Sequence, residues 1–169
     1  KDKTTNIFYE VDGVIYQKVL PYYLKSGGVG SSYTIAYDKN AIIKAVGKDS
    51  EMGKKAISFL NSKLSGENNS ATLWKMFGKS YSRQDYADIA KIMDVVLEAS
   101  YDANGCKSVS DYATVAATVA TNSLVHMKYD GAQTSYTKGF SQVLVSGYDC
   151  IGFTNWSYYQ GLQKVYKIS

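Results

Sequence analysis

The chain has 169 residues, 45% hydrophobic and 20% charged. These are ordinary globular values that exclude extended disorder, and no apolar run approaches the roughly eighteen residues of a membrane-spanning helix. Sixteen Tyr stand beside one Pro and one His, and a single imidazole excludes classical zinc fingers and multi-His metal centres. Lys and Arg total 19 against 15 acids, a net charge of +4, and Arg83 is the sole arginine. So mild a bias, without Arg clusters, argues against nucleic acid as a partner and suits a polyanionic surface such as a cell wall.

Along the chain, Ile7-Phe8-Tyr9 and Val14-Ile15-Tyr16 flank Asp12-Gly13, a pair that closes a two-residue β-hairpin. Pro21 and the glycines Gly27, Gly28 and Gly30 then make a loop. No GK[ST] or GxGxxG pattern follows it, so neither a phosphate loop nor any cofactor is expected. Tyr33 to Val46 reads as a second extended or mixed stretch ending at Gly47. From Ser50 the period becomes helical: Met52, Ala56, Phe59 and Leu60 share a face behind a cap at Ser50, and the stretch Gly66 to Ser70 ends it.

Ser82-Arg83-Gln84-Asp85 predicts a helix start with an acid in the first turn. Tyr86, Ile89, Ala90, Met93, Val96 and Leu97 mark its buried face, and Asn104-Gly105 stops it. Ser108 or Ser110 caps a further helix with the stripe Tyr112, Val115, Ala116, Val119 and, one heptad on, His126, ending near Lys128. Residues 129–148 lose helical period and should form a surface loop of about twenty residues, a length that is often functional. The last element starts within Tyr148-Asp149-Cys150, runs to about Gln160 and stops at Gly161.

Cys106 and Cys150 form no CxxC pair, so the spacing suggests neither zinc nor a thioredoxin-like motif, while leaving open a disulfide between them. Lys1-Asp2-Lys3 runs straight into polar residues, so a secreted protein would be present here in its mature form. Richness in Tyr, Asn, Ser, Gly and Lys fits an extracellular bacterial protein, secreted or held at the cell wall. If Cys150 occupies the first turn of a helix over about 150–160, free backbone N–H groups and the positive end of the dipole stabilise its thiolate, the nucleophilic form. The competing reading of a helical cysteine is a buried, inert thiol.

Gly147-Tyr148-Asp149-Cys150-Ile151-Gly152-Phe153-Thr154-Asn155-Trp156 resembles the Asp-Cys-Ser-Gly-Phe signature around the nucleophile of NlpC-type cell-wall peptidases, a papain-like cysteine peptidase family. In that family a helix precedes the nucleophile, ends in a Tyr and passes through a Gly-containing loop. Here the helix over 110–127 is followed by Tyr129-Asp130-Gly131 and the loop to Tyr148. The resemblance covers about residues 108–162. It implies cleavage of amide bonds in peptidoglycan stem peptides through a thioacyl intermediate on Cys150. It further implies that Asp149 holds the substrate's free amine and that Tyr129 borders the sulfur. Ile151 stands where the family has Ser, which removes a substrate-contacting hydroxyl.

The resemblance also requires a His on a strand after the nucleophile, with a polar residue to orient it, and no His follows residue 150. Either a second polypeptide segment supplies the base, or His126 serves as a substitute in a permuted order. The plainer reading of His126 is a half-buried residue near a helix end. Cys106, in a segment faintly like that of transglutaminase-like proteins, reads as a structural thiol or a disulfide partner of Cys150.

The expected architecture is α+β: an N-terminal hairpin and helical region over 1–105, then the nucleophile-bearing half of a papain-like domain over 106–169. Two other functions fit the same residues. One is a non-catalytic binding or adhesion module on a degenerate papain-like scaffold, with the aromatic loop 129–148 contacting a ligand. The other is a lysozyme-like glycosidase using Glu51 and Glu98, with Trp74 and Trp156 available to stack on sugars.

Overall fold

The computed structural model describes residues 6–19, 33–65, 82–123 and 150–167. In them lie strands β1 (Asn6–Val11), β2 (Val14–Val19) and β3 (Tyr33–Asp38), and helices α1 (Lys39–Val46), α2 (Glu51–Leu64), α3 (Arg83–Ala103), α4 (Val109–Asn122) and α5 (Cys150–Tyr166). The class is α+β: a three-stranded antiparallel sheet in the order β1-β2-β3, with five helices among the described residues. None of those helices is long and apolar enough to cross a membrane. The loop after Pro21 and the segment 129–148 lie outside the described residues.

The hairpin forms where the sequence places it. Asp12 and Gly13 both take positive φ, 51° and 84°, the left-handed pair whose twist matches two antiparallel strands, and Val11 comes opposite Val14. Register then divides the sheet into two faces. Ile15, Gln17 and Val19 sit opposite Tyr37, Ile35 and Tyr33 and face the core, where all but Tyr33 are buried. Val14 and Tyr16 share the other face with Ile7, Tyr9 and Val11 of β1 and Ala36 of β3.

The stretch expected as one extended or mixed element from Tyr33 to Val46 divides in two. Asp38 ends the strand and caps α1, its Oδ1 accepting the Ala41 N–H at 3.1 Å; a helix start needs such an acceptor for its free donors. Ser50 caps α2 in the same way, accepting from Gly53 N–H at 2.9 Å. Ser82 with Asp85, and Ser108 with Asp111, form reciprocal capping boxes on α3 and α4.

The free edge of β3 is closed by α3. In this register Thr34 and Ala36 turn their N–H groups away from β2, and buried donors must find partners. The Ala36 N–H donates to Ser100 Oγ at 2.9 Å and the Thr34 N–H to Asn104 Oδ1 at 3.1 Å. Asn104 Nδ2 donates back to Thr34 O at 2.7 Å. Ser100 and Asn104 are one helical turn apart, so a single face of α3 satisfies the edge.

Two expected boundaries are corrected. α4 stops at Asn122, and Ser123 is extended with φ −85° and ψ 177°, so the apolar stripe does not run on as one helix to His126 and Lys128. The Asn122 carbonyl, left without an intrahelical donor, accepts from Gln17 Nε2 at 3.2 Å, tying the last turn to the sheet. α5 continues through Gly161 to Tyr166; that glycine permits a close helix contact rather than ending the element. A single hydrophobic core draws on residues from Ile15 in β2 to Trp156 in α5.

Two measurements test this arrangement. Ser100→Ala leaves the buried Ala36 N–H unpaired and should lower unfolding free energy by about 1–3 kcal/mol in a urea titration; an unchanged midpoint would show that the edge needs no cap. The Asp111 carboxyl is held below its ordinary value of 3.8 by the backbone N–H groups of Ser108 and Lys107. A lowered folded value favours the native state above the unfolded value, and that contribution fades as pH falls through the folded one. Asp111→Asn should therefore lower the urea midpoint near neutral pH, and the gap from wild type should shrink by about pH 3.

Candidate functional site

The described span of α5 opens with Cys150 and Ile151. Their side chains lie outside what the structure describes, as do His126, Tyr129 and Asp149 altogether. What the fold does establish is how this helix is seated. α5 packs against α4. An added Cβ at Gly161 would stand 2.5 Å from the Val109 carbonyl oxygen and 3.0 Å from Val109 Cγ1, so the far part of α5 meets the first residue of α4.

Trp156 and Ser157 are buried on α5, so Trp156 is part of the core and not an exposed sugar platform. Near the other end, Lys164 Nζ contacts Glu98 Oε1 at 2.6 Å and lies 5.6 Å from the centroid of the Tyr101 ring. These contacts fix both the tilt and the rotation of α5. The first turn of a helix directs unpaired N–H groups and partial positive charge at whatever stands there.

The second cysteine occupies the opposite environment. Cys106 is a free thiol, half-buried in the turn between α3 and α4. Burial, and then the charges of Asp111 and Asp102, push it up to about 11. It is protonated and weakly nucleophilic at neutral pH, which fits the structural thiol expected for it.

The carboxylates weighed for a glycosidase do not converge. Glu51 lies in the first turn of α2; Glu98 is ion-paired on α3 and borders a groove whose lining does not include Glu51. Among the described residues no three His, Cys, Asp or Glu side chains are placed to hold a metal ion.

One buried polar link was not singled out in the sequence. Tyr37 is fully buried, and its hydroxyl donates to Gln17 Oε1 while Gln17 Nε2 donates to Asn122 O. The link joins the middle of the sheet to the end of α4. Its signal in the sequence is the alternation itself, which puts Gln17 between Ile15 and Val19 on the core face.

Comparison of the chain with protein-family models, with curated proteins and with solved structures found no match.

Gly161→Ala tests the helix contact. Alanine in place of glycine favours an unconstrained helix by about 1 kcal/mol, but a methyl group 2.5 Å from a backbone oxygen forces α4 and α5 apart, at a typical cost of about 1–3 kcal/mol. A lower thermal midpoint is expected; a higher one would mean that the contact is slack.

Proposed function

We propose that Cys150 is the nucleophile of a secreted or cell-wall cysteine hydrolase that cleaves amide bonds in peptidoglycan stem peptides. The observation carrying this reading is that Cys150 lies on a long helix, at the opening of its described span, within the sequence that resembles the NlpC-type nucleophile segment. Local polarity suits the chemistry, because the helix start lowers the pKa of a thiol and its N–H groups can receive a developing oxyanion. The net charge of +4 favours an anionic wall polymer as the surrounding matrix.

In this reading the Cys150 thiolate adds to the substrate carbonyl carbon. The C–N bond then breaks, and the amine leaves with a proton from the protonated base. Water, deprotonated by the same base, attacks the thioester and releases a carboxylate and the free thiol. The base is an imidazole, either His126 or one on a second polypeptide segment. Asp149 holds the substrate's amine, Tyr129 borders the sulfur, and Ile151 replaces a polar contact by an apolar one. This selects a peptide partner whose flanking group is apolar at that point. The papain-like character of residues 106–169 belongs to the same proposal.

Cys106 supplies an internal reference for the test. With the chain treated with iodoacetamide at about pH 6 and digested for mass spectrometry, Cys150 should be carbamidomethylated at least about tenfold faster than Cys106 and faster than free cysteine. Cys150→Ser should abolish hydrolysis of a stem peptide assayed with the full protein. A Cys150 rate no greater than that of free cysteine would remove the nucleophile and the hydrolase with it.

A further inference from the structure

Above the outer face of the sheet runs a groove of about 640 Å³, bounded by β2, β3, α1 and α3. No residue of it belongs to the hydrolase reading. Its floor and sides are apolar: Val14, Tyr16, Ala36, Val95 and Ala99. Along one wall α3 contributes Asp94, Glu98 and Asp102 at successive turns, and Asp38 stands at the start of α1. Glu98 is paired with Lys164 and Asp38 caps α1, whereas Asp94 and Asp102 have no ion pair among the described residues.

The apolar floor does not end at the groove. Tyr16 stacks on Tyr9, ring centroids 5.4 Å apart, and beyond it Ile7, Tyr9 and Val11 on the same face are 46%, 42% and 49% exposed. Contiguous exposed apolar surface of this kind marks an interaction site. The opposite face of the same strands is packed into the core, so the exposure is confined to this side.

We propose that this groove docks an extended peptide segment in which basic and apolar residues alternate. Charge complementarity carries the choice: in a chain of net charge +4, the wall of this groove is lined by carboxylates. Geometry supports it. Asp94 and Asp102 are separated along α3 by about 12 Å, and side chains four residues apart in an extended chain are separated by about 13 Å, so two cations of one strand reach both carboxylates. Residues between them leave apolar side chains to cover Val14, Tyr16 and Tyr9. The exposed side chain of Asp94 has its carboxyl pushed upward, first by desolvation against the groove walls and then by the charge of Glu98, a cost that an incoming cation relieves.

Fluorescence anisotropy with a labelled alternating Lys–Leu peptide tests the proposal, using the full chain. Saturable binding is expected. The Asp94→Asn/Asp102→Asn variant, altered only at exposed positions, should weaken it by about tenfold or more, with a smaller salt dependence. Tyr9→Ser should weaken it at unchanged salt dependence. Circular dichroism and the melting midpoint check that both variants are folded. Equal binding by the double variant, equal binding of a Glu–Leu peptide, or displacement by spermine at the peptide's own affinity would each overturn the proposal. The first two would indicate indiscriminate apolar adhesion and the third a small-cation site.

Discussion

The hydrogen bonds from β3 to Ser100 and Asn104 are the constraint on which the rest of the structure depends. A three-stranded sheet has two open edges, and an edge buried without partners costs more than a hydrogen bond usually gains. By meeting Thr34 and Ala36 with side chains one turn apart, α3 is fixed in both height and rotation. Its apolar stripe, including Ile89, Ile92, Met93 and Val96, is then directed into the core. The same rotation presents Asp94, Glu98 and Asp102 to the outer groove. One helix thus closes the sheet, fills the core and sets the charge of the exposed face.

From α3 the order passes to the last two helices. Asn104 ends α3, the turn holding Cys106 follows, and the capping box at Ser108 starts α4. Gln17 fixes the far end of α4, and Gly161 and Lys164 fix α5 against α4 and α3. The start of α5 is therefore positioned by contacts made elsewhere along the two helices.

The two cysteines show how environment outweighs residue type. Both lie close to the start of a helix in sequence, yet Cys106 sits before its helix, half-buried and near Asp102 and Asp111, and its proton is held tightly. Cys150 opens the described span of α5, directly after Asp149 in the sequence. The hydrolase proposal rests on Cys150, and the proposed docking of a peptide in the outer groove does not depend on it.

The local elements were written in the sequence. The Asp12-Gly13 turn, the Ser50, Ser82 and Ser108 caps and the stop at Asn104 are all set by interactions within a few residues, which composition and spacing reveal. The tertiary structure decided what depends on distant partners. Asp38 became a cap where a continuing strand was equally readable, and the carbonyl at the end of α4 found its donor in Gln17. Gly161 became a helix contact because Val109 lay beneath it. The acidic groove arose only when α3 was laid along β3, since no sequence period relates Asp94 to Tyr16. Caps and turns are local bonds, legible one stretch at a time, whereas edges, crossings and grooves exist only between segments that the fold brings together.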